Sequence, residues 1–199
     1  MLRLIARGML LAALAVVFAT PVLAEPDIWA TGTACPSTDP CHAGYWEYCY
    51  EVNWAALPHG VSHVDVFLLL DECACACSPG YFAFDDTCGC GPGIPDGTPC
   101  TVYYYGFFEC FGDPAIEVET PLVKFQPYED DCEPPADGWA EVCFCSVAAP
   151  IYGTYADVIA LKYGQLWSAG SLEGPLPDCD TNYSDRESLT WGAVKALYR

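Results

Sequence analysis

Positive charge is scarce in this chain. It has 7 lysines and arginines against 27 acids, a formal charge of −20 over 199 residues. A surface of that sign repels nucleic acid and anionic lipid, so neither is an expected partner. Histidine is scarcer still, at 3 residues. Past residue 24 no apolar run approaches the ~20 residues of a membrane-spanning helix. No Gly-x-Ser-x-Gly elbow, no fixed-period repeat and almost no helical periodicity occur. No catalytic constellation emerges, and the expectation is a protein that is not an enzyme. A secreted hydrolase stays open only because paired carboxylates cannot be seen in a linear chain.

What is present starts at the N-terminus. Arg3 and Arg7 precede an apolar run from Met9 to Ala19, then Thr20-Pro-Val-Leu-Ala24. This reads as a signal peptide over residues 1–24, with cleavage after Ala24. The expected location is therefore secreted, cell-surface or periplasmic, with no membrane span in the mature chain. Removing two basic residues and no acid takes the net charge to −22. A hydrophobic content of 53% with 14% aromatics still predicts a folded body, not a disordered one.

All 14 cysteines lie downstream of the signal. An even number in an exported chain predicts disulfides. They form a group of three (Cys35, Cys41, Cys49), a group of seven (Cys73, Cys75, Cys77, Cys88, Cys90, Cys100, Cys110) and a group of four (Cys132, Cys143, Cys145, Cys179). Two groups are odd, so full oxidation requires bridges that leave both. Cysteines two apart on a strand share a face but sit too far apart to bridge each other readily, so partners on neighbouring strands or loops are expected. Zinc or copper thiolate is the competing chemistry, and oxidation outcompetes it outside the cytoplasm.

Short alternating segments dominate. Tyr45 to Val52 places Trp46, Tyr48, Tyr50 and Val52 on one face, and Val61 to Leu70 is apolar on both, which suits a central strand. Residues 71–112 are rich in cysteine, glycine and proline and read as a disulfide-stapled insertion carrying an aromatic strand near residues 101–111. Leu122 to Phe125 and Trp139 to Val147 are further strands, with a brief one at Ile116 to Val118. Asp157 to Tyr163 and Leu166 to Leu172 predict a hairpin turning near Gly164. Ser184-Asp-Arg-Glu187 resembles a capping box before a short C-terminal helix. The expected fold is all-β: an antiparallel β-sandwich over residues 25–150 with the insertion, and a hairpin-plus-helix unit over 151–199 packed on it.

Four candidate sites follow from residue type. The run Tyr103, Tyr104, Tyr105, Phe107 and Phe108 is the candidate binding surface, because large rigid aromatics favour interfaces. Asp178, Asp180, Asn182 and Asp185 place oxygen ligands at alternating positions, as calcium loops do, without the central glycine or the terminal glutamate. Calcium is the one cofactor the sequence admits. His59 and His63 have the spacing of helical zinc ligands, but Pro58 and Gly60 deny the helix, leaving a turn histidine and a strand histidine. Ser62 beside His63 is no nucleophile pair, since adjacent strand residues face opposite ways.

Two resemblances accompany these readings. Cys75-Ala-Cys-Ser-Pro-Gly-Tyr81 ending at Cys88 resembles the C-terminal signature of EGF-like modules. That resemblance implies a Cys77–Cys88 bridge and an upstream partner for Cys75. The apolar strand between Cys49 and Cys73 departs from the EGF pattern. Residues 45 to 147, with Trp46-x-Tyr-x-Tyr-x-Val52, Gly60-Val-Ser-His63 and Leu122-Val-Lys-Phe125, look like secreted bacterial β-sandwich domains, and Thr190 to Arg199 is similar to C-terminal tails of some bacterial exported proteins. These imply a surface or extracellular domain. The expected function is a structural or adhesive binding module whose partner is an extracellular protein or glycan, with a calcium- or carbohydrate-binding domain as the alternative.

Overall fold

A computed structural model describes residues 26–39, 42–68, 82–93, 99–128 and 132–178. The signal segment 1–24, the EGF-like stretch around Cys73, Cys75 and Cys77, Cys41, Cys179, the calcium candidates Asp180, Asn182 and Asp185, and the C-terminal helix all lie outside these residues. Nine strands are present: β1 (Asp27–Pro36), β2 (Trp46–Ala55), β3 (His63–Phe67), β4 (Phe82–Gly93), β5 (Cys100–Glu109), β6 (Leu122–Pro127), β7 (Gly138–Ser146), β8 (Ala149–Tyr163) and β9 (Leu166–Asp178). No α-helix occurs among the described residues.

The all-β reading holds, but the sandwich does not. The strands form one closed barrel in the order β1-β2-β7-β4-β5-β6-β3-β8-β9. Every pairing is antiparallel except the last, where β1 runs parallel to β9 through Trp29↔Ser171, Ala30↔Leu172 and Thr31↔Glu173. That seam removes the free edges a sandwich would leave. The chains approach closely beside it. Gly174 adopts φ +152°, and a Cβ there would sit 2.8 Å from the backbone of Gly32, so only glycine fits.

Alternation assigns the two faces of the wall. Tyr48, Tyr50 and Val52 of β2 point inward and are buried, as predicted for that face; Trp46 is only partly buried, and buried Trp54 extends the face past the expected end of the strand at Val52. They meet Phe144 and Val142 of β7, with Tyr48 and Phe144 stacked at 5.3 Å. Their polar atoms are satisfied by remote carbonyls: the Tyr48 hydroxyl donates to Ala148 O at 2.7 Å, Tyr50 to Pro175 O at 3.0 Å and Trp54 Nε1 to Pro135 O at 3.0 Å. These bonds make large polar-tipped rings usable as core.

The cysteine-rich segment is no excursion between strands. It supplies β4 and β5, two full staves of the barrel. The hairpin expected at residues 157–172 is present and longer, as β8 and β9, which pair with β3 and β1. The brief strand at Ile116 is instead a turn closed by one isolated bridge, Asp113↔Val118. β1 carries no strand signal strong enough to be expected.

Two disulfides, Cys49–Cys143 and Cys100–Cys132, join different cysteine groups, as the odd counts require. The first links directly opposed residues on the outward faces of β2 and β7. Cys110 is also disulfide-bonded. Cys35 and Cys90 carry no disulfide in the structure, although the sequence expectation placed all cysteines in bridges.

Candidate functional site

The buried polar residues converge on one place. β3 is buried along its whole length, so both faces are covered. Val64 and Val66 face the interior opposite Phe125 and Val123, which leaves His63 and Asp65 on the outward face, with Lys124 directly opposite Asp65. Nothing polar belongs there unless something covers it and answers its charge. The cover is the turn between β5 and β6.

That turn holds itself in place. Gly112 takes φ +79°, and a Cβ there would collide with the Val118 carbonyl. Ile116 N–H and Val118 N–H both donate to Asp113 O at 3.2 Å, and Ala115 N–H donates to Asp113 Oδ1 at 2.8 Å. Ile116 is fully buried beneath it. The side chain of Asp113 is thereby fixed above the sheet, with its second oxygen free to point at β6.

There Oδ2 accepts a hydrogen bond from Lys124 Nζ at 2.6 Å. His63 Nε2 lies 3.0 Å from the same oxygen and 3.2 Å from Asp65 Oδ2. Neither histidine contact is aligned as a hydrogen bond, and both Asp65 oxygens lack a hydrogen-bond partner among the described residues. Asp65 is 0% exposed and Lys124 is 6% exposed. Phe107, across from Lys124 on β5, presents its ring 6.0 Å from the ammonium. Lys162, opposite His63 on β8, is turned away to the Gly164 carbonyl at 2.6 Å.

The two carboxyls are driven apart. Burial raises Asp65, outweighing the favourable influence of His63. Burial also works against the Asp113 carboxylate, but the Lys124 ammonium and the Ala115 N–H together hold it below the ordinary range. One group is thus inclined to keep a proton and its neighbour to lose one, the arrangement that proton-transfer chemistry uses.

His63, Asp65 and Asp113 could converge on a divalent cation, since their donor atoms lie within 4.8 Å of one another. The donor set already contains its cation, however. Lys124 Nζ occupies the Asp113 oxygen that faces His63, and a metal would have to share that oxygen with an ammonium.

The aromatic run divides by the same alternation. Tyr104 is 2% exposed and faces the interior with Phe108, so both leave the candidate contact surface. Tyr103, Tyr105 and Phe107 face outward. Tyr105 packs on Phe107 at 6.1 Å and on Tyr128 at 5.1 Å. Tyr103 is 57% exposed and Tyr128 55%. Tyr128 also borders an open cleft of about 760 Å³ between the His59–Ser62 loop and the Cys132–Pro134 segment. His59 therefore belongs to this cleft and His63 to the buried cluster; they do not act together.

Sequence reading singled out His63 but missed Asp65, Asp113 and Lys124. Its usable signal was a lone charge inside an apolar strand, at Asp65 within Val64–Leu70 and at Lys124 within Leu122–Phe125. Asp113 lies in a turn rich in acids, and nothing local distinguishes it. Compared with known proteins, the chain matches no family model, no curated protein and no solved structure.

Proposed function

We propose that this chain is a non-catalytic binding module that works outside the cytoplasm and holds a neutral glycan on its aromatic outer strip. The observation that carries the reading is the clustering of Tyr103, Tyr105 and Tyr128 on the outward face, two of them more than half exposed. Monomeric proteins bury most large rings, and a contiguous exposed group of them suits an interface. The electron-rich ring faces complement the weakly positive C–H face of a sugar, while the net charge of −20 disfavours an acidic partner. The adjoining cleft gives a bound chain room to continue past Tyr128.

The apolar leader and the disulfides support export. N-terminal sequencing of protein recovered from the medium or periplasm should begin at Glu25. The binding test is a glycan array with wild type and with the Tyr103→Ala/Tyr105→Ala/Tyr128→Ala variant. Wild type should bind neutral oligosaccharides, and the variant should lose that signal while melting within a few degrees of wild type. Equal binding by both proteins, or no binding by wild type, removes the glycan reading.

A further inference from the structure

Lys124 and Asp113 are an amine and a carboxyl held in contact below the surface of the barrel wall. Both are almost wholly buried, and their atoms approach to 2.6 Å. Burying an ion pair is costly: each ion loses several kcal/mol of hydration, and the pair recovers it only with ideal surroundings. The surroundings here are not ideal, because Asp65 adds a second carboxyl whose oxygens accept no hydrogen bond from the described residues. The amine can attack only after the shared proton has passed from nitrogen to oxygen, and the short contact makes that transfer a local step.

The geometry points to a covalent end state: an intramolecular amide bond between Lys124 Nζ and Asp113 Cγ, formed by the folded protein with loss of one water.

The step balances without any co-reactant. Across the 2.6 Å contact, Nζ gives one proton to Asp113 Oδ2. The freed lone pair attacks Cγ, forming the N–C bond. The resulting tetrahedral carbon must then lose Oδ2, and the C–O bond breaks as that hydroxyl takes a second proton. His63 Nε2, 3.0 Å from Oδ2, is within reach to deliver it once the ring turns into line with that oxygen. Asp65 Oδ2, 3.2 Å from the same nitrogen, replenishes the histidine, and the second proton leaving Nζ is carried by the departing water to His63 and on to Asp65. Two protons have passed from nitrogen to oxygen, no electrons have been exchanged, and the product is one amide and one water. His63 touches the departing oxygen; Asp65 acts through His63 and is a relay residue.

Three further features fit. The Asp113 turn is closed on its own hydrogen bonds, so the carboxyl is held at the amine instead of being free to turn away. Effective concentrations in such fixed pairs reach ~10⁵ M or more, enough to drive condensations that are hopeless between free molecules. Lys124 and Asp113 are almost wholly buried and Phe107 presents its ring 6.0 Å from the ammonium, which limits the access of water that would reverse the reaction. Finally, the product removes both buried charges at once, leaving an amide in place of the ion pair.

Intact-mass measurement on the purified, fully reduced full-length chain decides the matter. Wild type should weigh about 18 Da less than its sequence, the mass of one water. Cleavage after glutamate, at Glu109, Glu117, Glu119 and Glu129, should release residues 110–117 and 120–129 as one branched peptide. That peptide separates the cross-link from water loss at an aspartyl-glycine or at an N-terminal glutamate. Lys124→Arg and Asp113→Ala should both return the full mass. Asp65→Asn, shown to be folded by circular dichroism, should form the bond at least about tenfold more slowly, and Asp65→Glu should restore it. A wild-type chain of full mass with two separate peptides overturns the proposal, and so does stoichiometric metal bound at full mass. Undiminished cross-linking in Asp65→Asn overturns the relay.

Discussion

The barrel wall has two halves that are held in different ways. Going round it, β1, β2, β7, β4 and β5 are contiguous and carry every strand cysteine, while β6, β3, β8 and β9 are contiguous and carry none. On the first half, Cys49, Cys143 and Cys88 stand in one row across three strands, and Cys49–Cys143 staples two of them. On the second half the same outward face carries Lys124, Asp65 and His63, capped by Asp113. The lesson is that an outer barrel face can be tied by sulfur or by a buried lysine–aspartate contact. The two ties differ in what breaks them: a reductant acts on the first and leaves the second untouched.

The largest effect is expected from the sulfur half. Replacing Cys49 and Cys143 together by alanine removes a bridge across 94 residues and should lower stability by about 4 kcal/mol, read as the urea midpoint. A loss below about 1 kcal/mol would mean that the strands hold without the staple. Next comes Lys124→Met, which removes the tie to Asp113 and leaves that buried carboxyl without its partner, and should cost about 3 kcal/mol by the same measurement. Combining the two lesions sharpens the comparison. If the halves are independent, their costs add to within about 0.5 kcal/mol, and a larger departure would show that strain crosses the barrel.

A smaller gain is expected from the interior. The Tyr104 hydroxyl has no partner among the described residues, and burial pushes its ionisation upward. Tyr104→Phe should therefore raise stability by about 1 kcal/mol. No gain would reveal a hydrogen bond that the structure does not display. The smallest effect belongs to the outward rings: Tyr103→Ser should move stability by less than about 0.5 kcal/mol, since the side chain is mostly in solvent.

Strand positions with clean alternation are legible in the sequence alone. The inward set Tyr48, Tyr50 and Val52, the doubly covered β3 and the turn at Gly164 all follow from local pattern. β4 is not legible. Gly89, Gly91 and Pro92 spell turns locally, yet pairing of all three with β5, and of Gly89 with β7 as well, holds them extended. β1 is short of apolar residues and is a strand because β2 recruits it along ten consecutive pairs. Closure is illegible for a related reason, because the pairing of β1 with β9 joins positions more than 130 residues apart, and no local period encodes a partner. The polar cluster escapes in a third way. Each member looks like a stray charge, and only the registration of β3 on β6 makes them neighbours.

The parallel seam has a mechanical corollary. β1 is tied to β2 by ten residue pairs and to β9 by three. A tether pulling on the beginning of the chain would therefore not strip β1 from the wall. It would part the short seam first, and the cylinder would unroll into a sheet with β1 still attached to β2.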